Sequence, residues 1–167
     1  VYGSPIYISI EELHQLKNTD LSKRKQLEIQ RDIFVFQACV GCRVSDLLNF
    51  TRRNLTNGAI EYIARKTKEE RPVTVRVPLN SMAREILEKY PSDNLDAPLL
   101  PFISAQKYND AIKRAFKKAG LTRNVTCLNS QTREPEQKPL YEVASSHMAR
   151  KIFIGNMKTD LDVQEIC

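Results

Sequence analysis

The sequence predicts a single domain of the α+β class, mainly α-helical with a small antiparallel sheet. Apolar residues recur at helical spacing in several segments, whereas between residues 59 and 79 the hydrophobic period switches to two. The chain has 167 residues, enough to bury the core of one globular domain. We therefore expect one domain over residues 1–167 that contains both helices and a strand pair.

The amino-acid composition indicates which kind of binding partner to expect. The chain is 41% hydrophobic and 28% charged, and no apolar run approaches the roughly 18 residues that a membrane span needs. The net charge of +6 favours an anionic partner such as nucleic acid. The first residues, VYGSPIYISI, lack an initiating Met and the features of a signal peptide. We expect a soluble fragment of a cytoplasmic protein that contacts no membrane.

The four cysteines do not predict a metal site. They include one C-x-x-C, formed by Cys39 and Cys42, and no second pair of Cys or His completes a zinc site. Because both lie in an apolar helical context, we expect buried reduced thiols, which is consistent with a cytosolic protein. No Gly-rich phosphate loop is present, and we predict neither a metal nor another cofactor.

The first helices are marked by local signals. Ser9 and Glu12 form a capping box, which starts a helix that reaches about Lys17. Residues 27–40 then repeat apolar side chains at helical spacing, and Gly41 interrupts the pattern. We expect the second of these helices to be buried.

A third helical run and a strand pair follow. The run CRVSDLLNF places Arg43 and Asp46 three residues apart on one side of a helix. Residues 59–64 and 72–79 read as two strands. Six of the seven residues between them, 65–71, are charged, which predicts an exposed hairpin loop.

The second half is predicted to be mainly helical. Asn80 caps a helix that reaches Tyr90, and Ser104 caps the helix AQKYNDAIKRAFKKAG, which has a basic outer face. The segments NVTCLN and PLYEVA are expected to form a second hairpin around the loop SQTREPEQK. A last helix runs from residue 145 to about 157, capped by Ser145 or Ser146. A capping box at residues 162–165 starts one more helix.

Three features stand apart from the periodic core: Arg43 with Asp46, Lys66 on the charged loop, and His147 with Arg150. Taken singly, each is more often a solvated or salt-bridged surface group than a functional one. His147 and Arg150 are three residues apart on a helix, so they can address one ligand.

Together the three features resemble the motifs of tyrosine recombinases, the phage-integrase family. CVGCRVSDLLNF is similar to the family segment TGLRxSELLxL, with Arg43 on the first catalytic arginine and Asp46 on the acidic position. ARKTKEERPVTVRVPL resembles the strand-turn-strand that carries the catalytic lysine, here Lys66. SSHMARKIFIGNM resembles the HxxRRTFAT helix, with His147 and Arg150 on the motif His and second Arg.

The resemblance runs from about Tyr7 to Cys167, and AQKYNDAIKRAFKKAGL is similar to a helix of integrases carried by conjugative transposons. Lys68 is the neighbour with which the catalytic lysine could be confused. Lys151 and the following Ile replace the more usual Arg-Thr. The family's second His or Trp and its nucleophilic tyrosine lie C-terminal to this helix, but no tyrosine follows Tyr141. We therefore expect a catalytic domain that lacks its C-terminal end and the N-terminal core-binding domain.

The resemblance implies a site-specific recombinase or integrase that cuts and rejoins DNA for integration or excision of a mobile element. Arg43 and Arg150 would clamp the phosphate, Lys66 would act as general acid, and His147 would assist. Asp46 would orient Arg43 or a neighbouring basic group. The intermediate is a 3′-phosphotyrosyl link. Without the tyrosine, this fragment is predicted to be inactive in cleavage.

The implied partner is double-stranded DNA. The intact protein is expected to act as a homotetramer on two duplexes in the bacterial cytoplasm, and the fragment to be a monomer. Two alternatives stay open: a non-catalytic DNA-binding domain on the same scaffold, and a type IB topoisomerase relative. Six basic residues are predicted to contact the DNA backbone: Arg52, Arg53, Arg65, Arg71, Lys113 and Lys117.

Overall fold

The structure is a computed structural model and describes residues 8–64 and 72–153. The described chain is mainly helical, with a three-stranded antiparallel sheet in the order β1-β2-β3 and a two-stranded hairpin, β4-β5. The predicted α+β class is confirmed. The helices are α1 (Ile10–Asn18), α2 (Lys25–Val40), α3 (Val44–Leu47), α4 (Ser81–Lys89), α5 (Ala105–Lys118), α6 (Leu140–Val143) and α7 (Ser146–Ile152). The strands are β1 (Leu55–Thr56), β2 (Ala59–Ile63), β3 (Thr74–Pro78), β4 (Asn124–Leu128) and β5 (Pro135–Pro139).

Helix α2 is the centre of the core. It is buried on every face from residue 30 to residue 40, because α1, α4, α5 and α7 all pack against it. Phe34 of α2 meets Phe116 of α5 edge to face, with ring centroids 5.3 Å apart. Among the described residues, no helix is long and apolar enough to cross a membrane.

Helix starts were predictable because their signals are local. Ser9 and Glu12 make both bonds of the capping box: the N–H of Glu12 donates to Ser9 Oγ at 3.1 Å, and the N–H of Ser9 donates to Glu12 Oε1 at 3.0 Å. Asn80 and Ser104 likewise accept backbone N–H bonds in the first turns of α4 and α5. The predicted starts of α1, α4 and α5 are confirmed.

The predicted strand pair is confirmed as β2 and β3, with Ile60 opposite Val77 in the core. Strand β1, which was not predicted, pairs with β2 through the turn at Asn57 and Gly58. Both turn residues have positive φ, 50° and 77°, as a type I′ hairpin turn requires. The Asn-Gly pair was the signal that could have revealed the third strand.

The prediction for the second hairpin was half wrong. NVTCLN does form a strand, β4, but its partner is β5, whose residues lie in the segment predicted to be loop except for Pro139, the first residue of PLYEVA. The side chain of Asn129 accepts bonds from the N–H groups of Gln131 and Thr132, so the turn closes earlier than predicted. PLYEVA instead contributes α6, which begins with the fully buried Leu140.

Cys39 and Cys42 are free thiols with at most 2% of their surface exposed, as the sequence analysis predicted. Burial raises the pKa of Cys39 to about 11 and that of Cys42 further. Both thiols are therefore protonated and unreactive at neutral pH.

Candidate functional site

The site is organised by the loop that follows α2. Gly41 ends the helix with φ of 78°, and its N–H donates to Gln37 O at 2.7 Å. The ring of Phe153 covers this glycine so closely that a Cβ there would overlap the ring carbons. Only glycine fits this position, and for two reasons: the backbone is left-handed, and the ring leaves no room for a Cβ.

Three consecutive carbonyl groups of this loop are hydrogen-bonded. Gly41 O accepts from Arg150 Nε at 3.0 Å, and Cys42 O accepts from Gln37 Nε2 at 2.9 Å. Arg43 O accepts from two backbone N–H groups of α3, at 3.1 and 2.9 Å. The backbone that carries Arg43 is thus fixed on both sides.

Helix α7 is held at both ends. At its start, the N–H of Ser146 donates to Asn109 Oδ1 at 2.7 Å, and Lys113 Nζ donates to Ala144 O at 2.5 Å, both from α5. Towards its end, the Arg150 bond described above joins it to the loop after α2. Ser145 is the N-cap residue, but its side chain makes no capping bond; the Asn109 side chain satisfies the first N–H instead. The predicted continuation of this helix to residue 157, and the predicted capping box at residues 162–165, lie outside the described residues.

Positive charge gathers where the loop and α7 meet. Arg43 is partly buried, and within residues 8–64 and 72–153 its guanidinium makes no hydrogen bond or ion pair. Arg150 uses only Nε for its bond to the loop, which leaves the edge formed by Nη1 and Nη2. His147 is mostly exposed; the partial burial of its imidazole, followed by the charges of Lys151, Arg150 and Arg43, lowers its pKa. His147 is therefore neutral at pH 7 beside a cluster of cations, an arrangement suited to an anion.

Asp46 lies beside the same cluster. It is 4% exposed, and its charge contributes to the raised pKa of the Cys42 thiol. Its backbone N–H is one of those that bond Arg43 O. The predicted role of its side chain in orienting Arg43 stays a prediction.

Tyr62 of β2, which was not predicted as a site residue, lies within electrostatic reach of Arg43 and Arg150. Burial is the main cause of its raised pKa; the Cys42 and Asp46 side chains raise it further, whereas the charges of Arg150 and Arg43 oppose them. Its ring packs against Phe50, with centroids 5.0 Å apart. No sequence signal singled it out, because an aromatic residue in a strand is ordinary.

Several of the predicted DNA-contacting residues already bind protein groups. Arg53 pairs with Asp96 at 2.6 Å on the surface, and the ammonium of Lys117 lies 5.4 Å from the ring centroid of Tyr141. Arg52 donates to a backbone carbonyl at the end of α4, and Lys113 holds the start of α7. Their role in DNA contact stays a prediction.

The charged loop is the part of the predicted site that the structure leaves undescribed. Lys66, its neighbour Lys68, Arg65 and Arg71 all lie outside the described residues. Within the ranges that are described, no group of three or more His, Cys, Asp or Glu side chains is placed to hold a metal ion.

Solved structures share this architecture at low sequence identity. The XerH site-specific recombinase, bound to its difH substrate in a pre-cleavage complex, aligns with 98% of this chain at a TM-score of 0.52 and 17% identity. A lambda integrase dimer bound to a COC′ core site aligns with 97% at 0.59 and 16%. The chain has the fold of a tyrosine-recombinase catalytic domain. The lambda integrase catalytic core aligns with 92% of the chain at 0.52 and 15%, and 86% of that core is covered.

The tyrosine-recombinase fold is shown by structure and not by sequence matches. No family model matches the sequence, and neither does any curated protein. The chain spans 45% of the XerH chain and 56% of the DNA-bound lambda integrase chain, about half their length. The resemblance to integrases of conjugative transposons stays a prediction.

Proposed function

We propose that this chain is the DNA-cleaving domain of a site-specific tyrosine recombinase, which integrates or excises a mobile element. The observation that carries the proposal is the pair Arg43 and Arg150, held on two elements around one loop beside neutral His147. Neither guanidinium forms an ion pair with a described residue. The XerH and lambda integrase structures of this fold contain DNA substrates, which supports DNA as the ligand.

The site suits a phosphodiester because of the charge that develops there. Attack on phosphorus concentrates negative charge on the non-bridging oxygens, and a guanidinium can bind two such oxygens while it stays charged at any working pH. In our proposal Arg150 offers its Nη1 and Nη2 edge and Arg43 offers its whole guanidinium. His147, which is neutral, donates one further hydrogen bond or assists proton transfer.

The proposed reaction needs one tyrosine and no hydrolysis of a nucleotide. The tyrosine phenol gives its proton to the neutral His147 imidazole, its oxygen attacks phosphorus, a 3′-phosphotyrosyl bond forms, and the bond to the 5′ oxygen breaks. The leaving 5′ oxygen takes its proton from the Lys66 ammonium. No tyrosine follows Tyr141 in this sequence, so the proposal places the nucleophile beyond Cys167 in the complete protein. A 5′ hydroxyl of a partner strand then reverses the step.

The proposal includes the assembly. The complete protein acts as a homotetramer on two DNA duplexes in the bacterial cytoplasm, whereas the present chain is a monomer. The six basic residues predicted from the sequence, Arg65 and Arg71 among them, contact the phosphate backbone of the DNA. Sedimentation of the chain with and without duplex DNA tests this, because a tetramer of the chain alone would contradict it.

Salt-dependent DNA binding tests the arginine site directly. Fluorescence anisotropy of a labelled duplex, between about 50 and about 200 mM salt, gives the number of phosphate contacts, since each contributes a slope of about −0.9 in log K against log salt. Arg43→Ala and Arg150→Ala should each weaken binding and flatten the slope by about one contact. Arg84→Ala is the matched control, because Arg84 is exposed and bonds Leu79 O. Equal binding by all three variants would refute the proposal.

A covalent assay separates the alternatives. On a nicked suicide substrate, the 167-residue chain should give no adduct in a denaturing gel; a shifted band would mean that one of its six tyrosines is the nucleophile. The complete protein should give the adduct, and Arg150→Ala should abolish it. If the complete protein binds DNA without forming an adduct, a non-catalytic DNA-binding domain is favoured. Relaxation of supercoils without joining of two duplexes would favour a type IB topoisomerase relative.

A further inference from the structure

We infer that Gln37 and Tyr108 are positioning residues for Arg43, acting through a buried chain of hydrogen bonds that ends at the carbonyl before it. The inference rests on the proposed role of Arg43. Tyr108 Oη donates to Gln37 Oε1 at 2.7 Å, and Gln37 Nε2 donates to Cys42 O at 2.9 Å. Both side chains belong to residues with 0% of their surface exposed.

The chemistry of the pair explains why two residues are needed. A glutamine amide has one acceptor and one donor end, and rotation about its last torsion is soft. The phenol of Tyr108 holds the oxygen end, so that the nitrogen end faces Cys42 O. Because both groups lie in the core, an unpaired end would cost free energy that water cannot restore. The amide therefore has one favoured orientation.

The position of Gln37 makes that orientation matter to the site. Its backbone carbonyl accepts from the N–H of Gly41 while its side chain holds Cys42 O, so one residue fixes the helix end and the next turn of the loop. The peptide group of Cys42 contributes the nitrogen of Arg43, and the direction of that carbonyl sets where the Arg43 side chain begins. A displacement of about 1 Å is enough to impair such a clamp.

Helix α5 thereby positions both halves of the arginine pair. Tyr108 reaches the loop of Arg43 through Gln37, and the neighbouring Asn109 binds the first N–H of α7, which carries Arg150. Lys113, one turn further, binds Ala144 O. The spacing of the two guanidiniums is therefore set by a helix that carries neither of them.

The experiment is a double-mutant cycle on duplex binding by the present chain. Tyr108→Phe removes one hydroxyl and keeps the ring in the core. Loss of a hydrogen bond of this kind should weaken binding by about 2-fold to about 10-fold. In an Arg43→Ala background the same change should have no further effect, because its influence passes through Arg43.

Tyr90→Phe is the matched control. The Tyr90 hydroxyl donates at 2.7 Å to Asp32 of α2, a bond that lies away from the loop. Tyr90→Phe should lower stability about as much as Tyr108→Phe does. It should leave DNA affinity unchanged both in the otherwise unmodified chain and in Arg43→Ala. Gln37→Leu, the second test variant, should show the same coupling to Arg43→Ala as Tyr108→Phe, with folding checked by circular dichroism.

The outcomes separate the two claims. If Arg43→Ala binds DNA as tightly as the unmodified chain, the proposed function fails. If Arg43→Ala weakens binding but Tyr108→Phe has no effect, or an equal effect in both backgrounds, the positioning role fails and the pair is merely part of the core. Sub-additive losses with Tyr108→Phe, together with no change for Tyr90→Phe, support the inference.

Discussion

Two arginines at different points of α2 and its loop have opposite surroundings. Arg31 is 4% exposed; its Nε binds Asp32 at 2.9 Å and its Nη1 binds the carbonyls of Leu16 and Thr19 at 2.8 and 2.9 Å. The guanidinium of Arg43 makes no hydrogen bond or ion pair to any described residue. A buried guanidinium is tolerated only when partners offset its lost hydration. The fold supplies those partners to Arg31, which joins α1 to α2, whereas the described residues supply none to the Arg43 guanidinium, which we propose binds an external anion.

The largest expected effect is on stability at Arg31. Arg31→Met keeps much of the volume but removes the guanidinium that donates to the Leu16 and Thr19 carbonyls. It also takes from Asp32 the buried one of its two cations and leaves Lys89. The free energy of unfolding should therefore fall by about 3–5 kcal/mol. Arg43→Met should change it by about 0.5 kcal/mol or less, because no described group loses the guanidinium as a hydrogen-bond or ion-pair partner. Urea unfolding measures both. Similar losses in the two variants would erase the distinction between a structural and a functional arginine.

A second prediction concerns Gly41, which connects the two regions. Gly41→Ala meets an unfavourable positive φ and the ring of Phe153. Gly58, with φ of 77°, has nothing within 4 Å of the place that a Cβ would occupy. In Gly58→Ala the free energy of unfolding should therefore fall only by the backbone strain, about 1–2 kcal/mol. Gly41→Ala should lower the free energy of unfolding by more than Gly58→Ala does, and it should also weaken DNA binding.

Phe153→Ala provides the check on this explanation. In that background the excess loss of Gly41→Ala over Gly58→Ala should shrink, because the clashing ring has gone. An excess that persists would mean that the ring contact is not its cause. Urea unfolding of the single and double variants gives the four free energies required.

The sequence predicted what local signals determine. The capping box at Ser9 and the apolar stripe of α5 each lie within a few residues, so these helices were found. The strand β5 was misplaced because the turn at Asn129, and not the hydrophobic pattern, decides where the hairpin closes.

The candidate site likewise contains residues that local sequence patterns indicate and residues that they do not. Arg43, His147 and Arg150, whose role in the site stays a prediction, were singled out through short motifs. The roles of Gln37 and Tyr108 depend on contact between residues 71 positions apart, which no local pattern encodes. The one available signal for Gln37 was a polar residue within the apolar run FVFQACV.

The smallest expected effect is a pH dependence of DNA binding through His147. Burial and the cations Lys151, Arg150 and Arg43 lower the pKa of this imidazole in the free chain. A bound phosphate adds negative charge and favours the imidazolium, so the pKa is higher in the complex. Binding is then coupled to proton uptake, and affinity should rise severalfold as the pH falls from about 8 to about 5.5.

His147→Gln isolates that contribution. It removes the titrating group and keeps a polar side chain, so its affinity should depend less on pH than that of the unmodified chain at constant salt. Replacing the only other histidine of the sequence, by His14→Gln, leaves a single imidazole whose pKa can be followed by NMR with and without duplex. A pKa that does not rise on binding would remove His147 from the phosphate site while leaving Arg43 and Arg150 in place, because their charges do not titrate in this range.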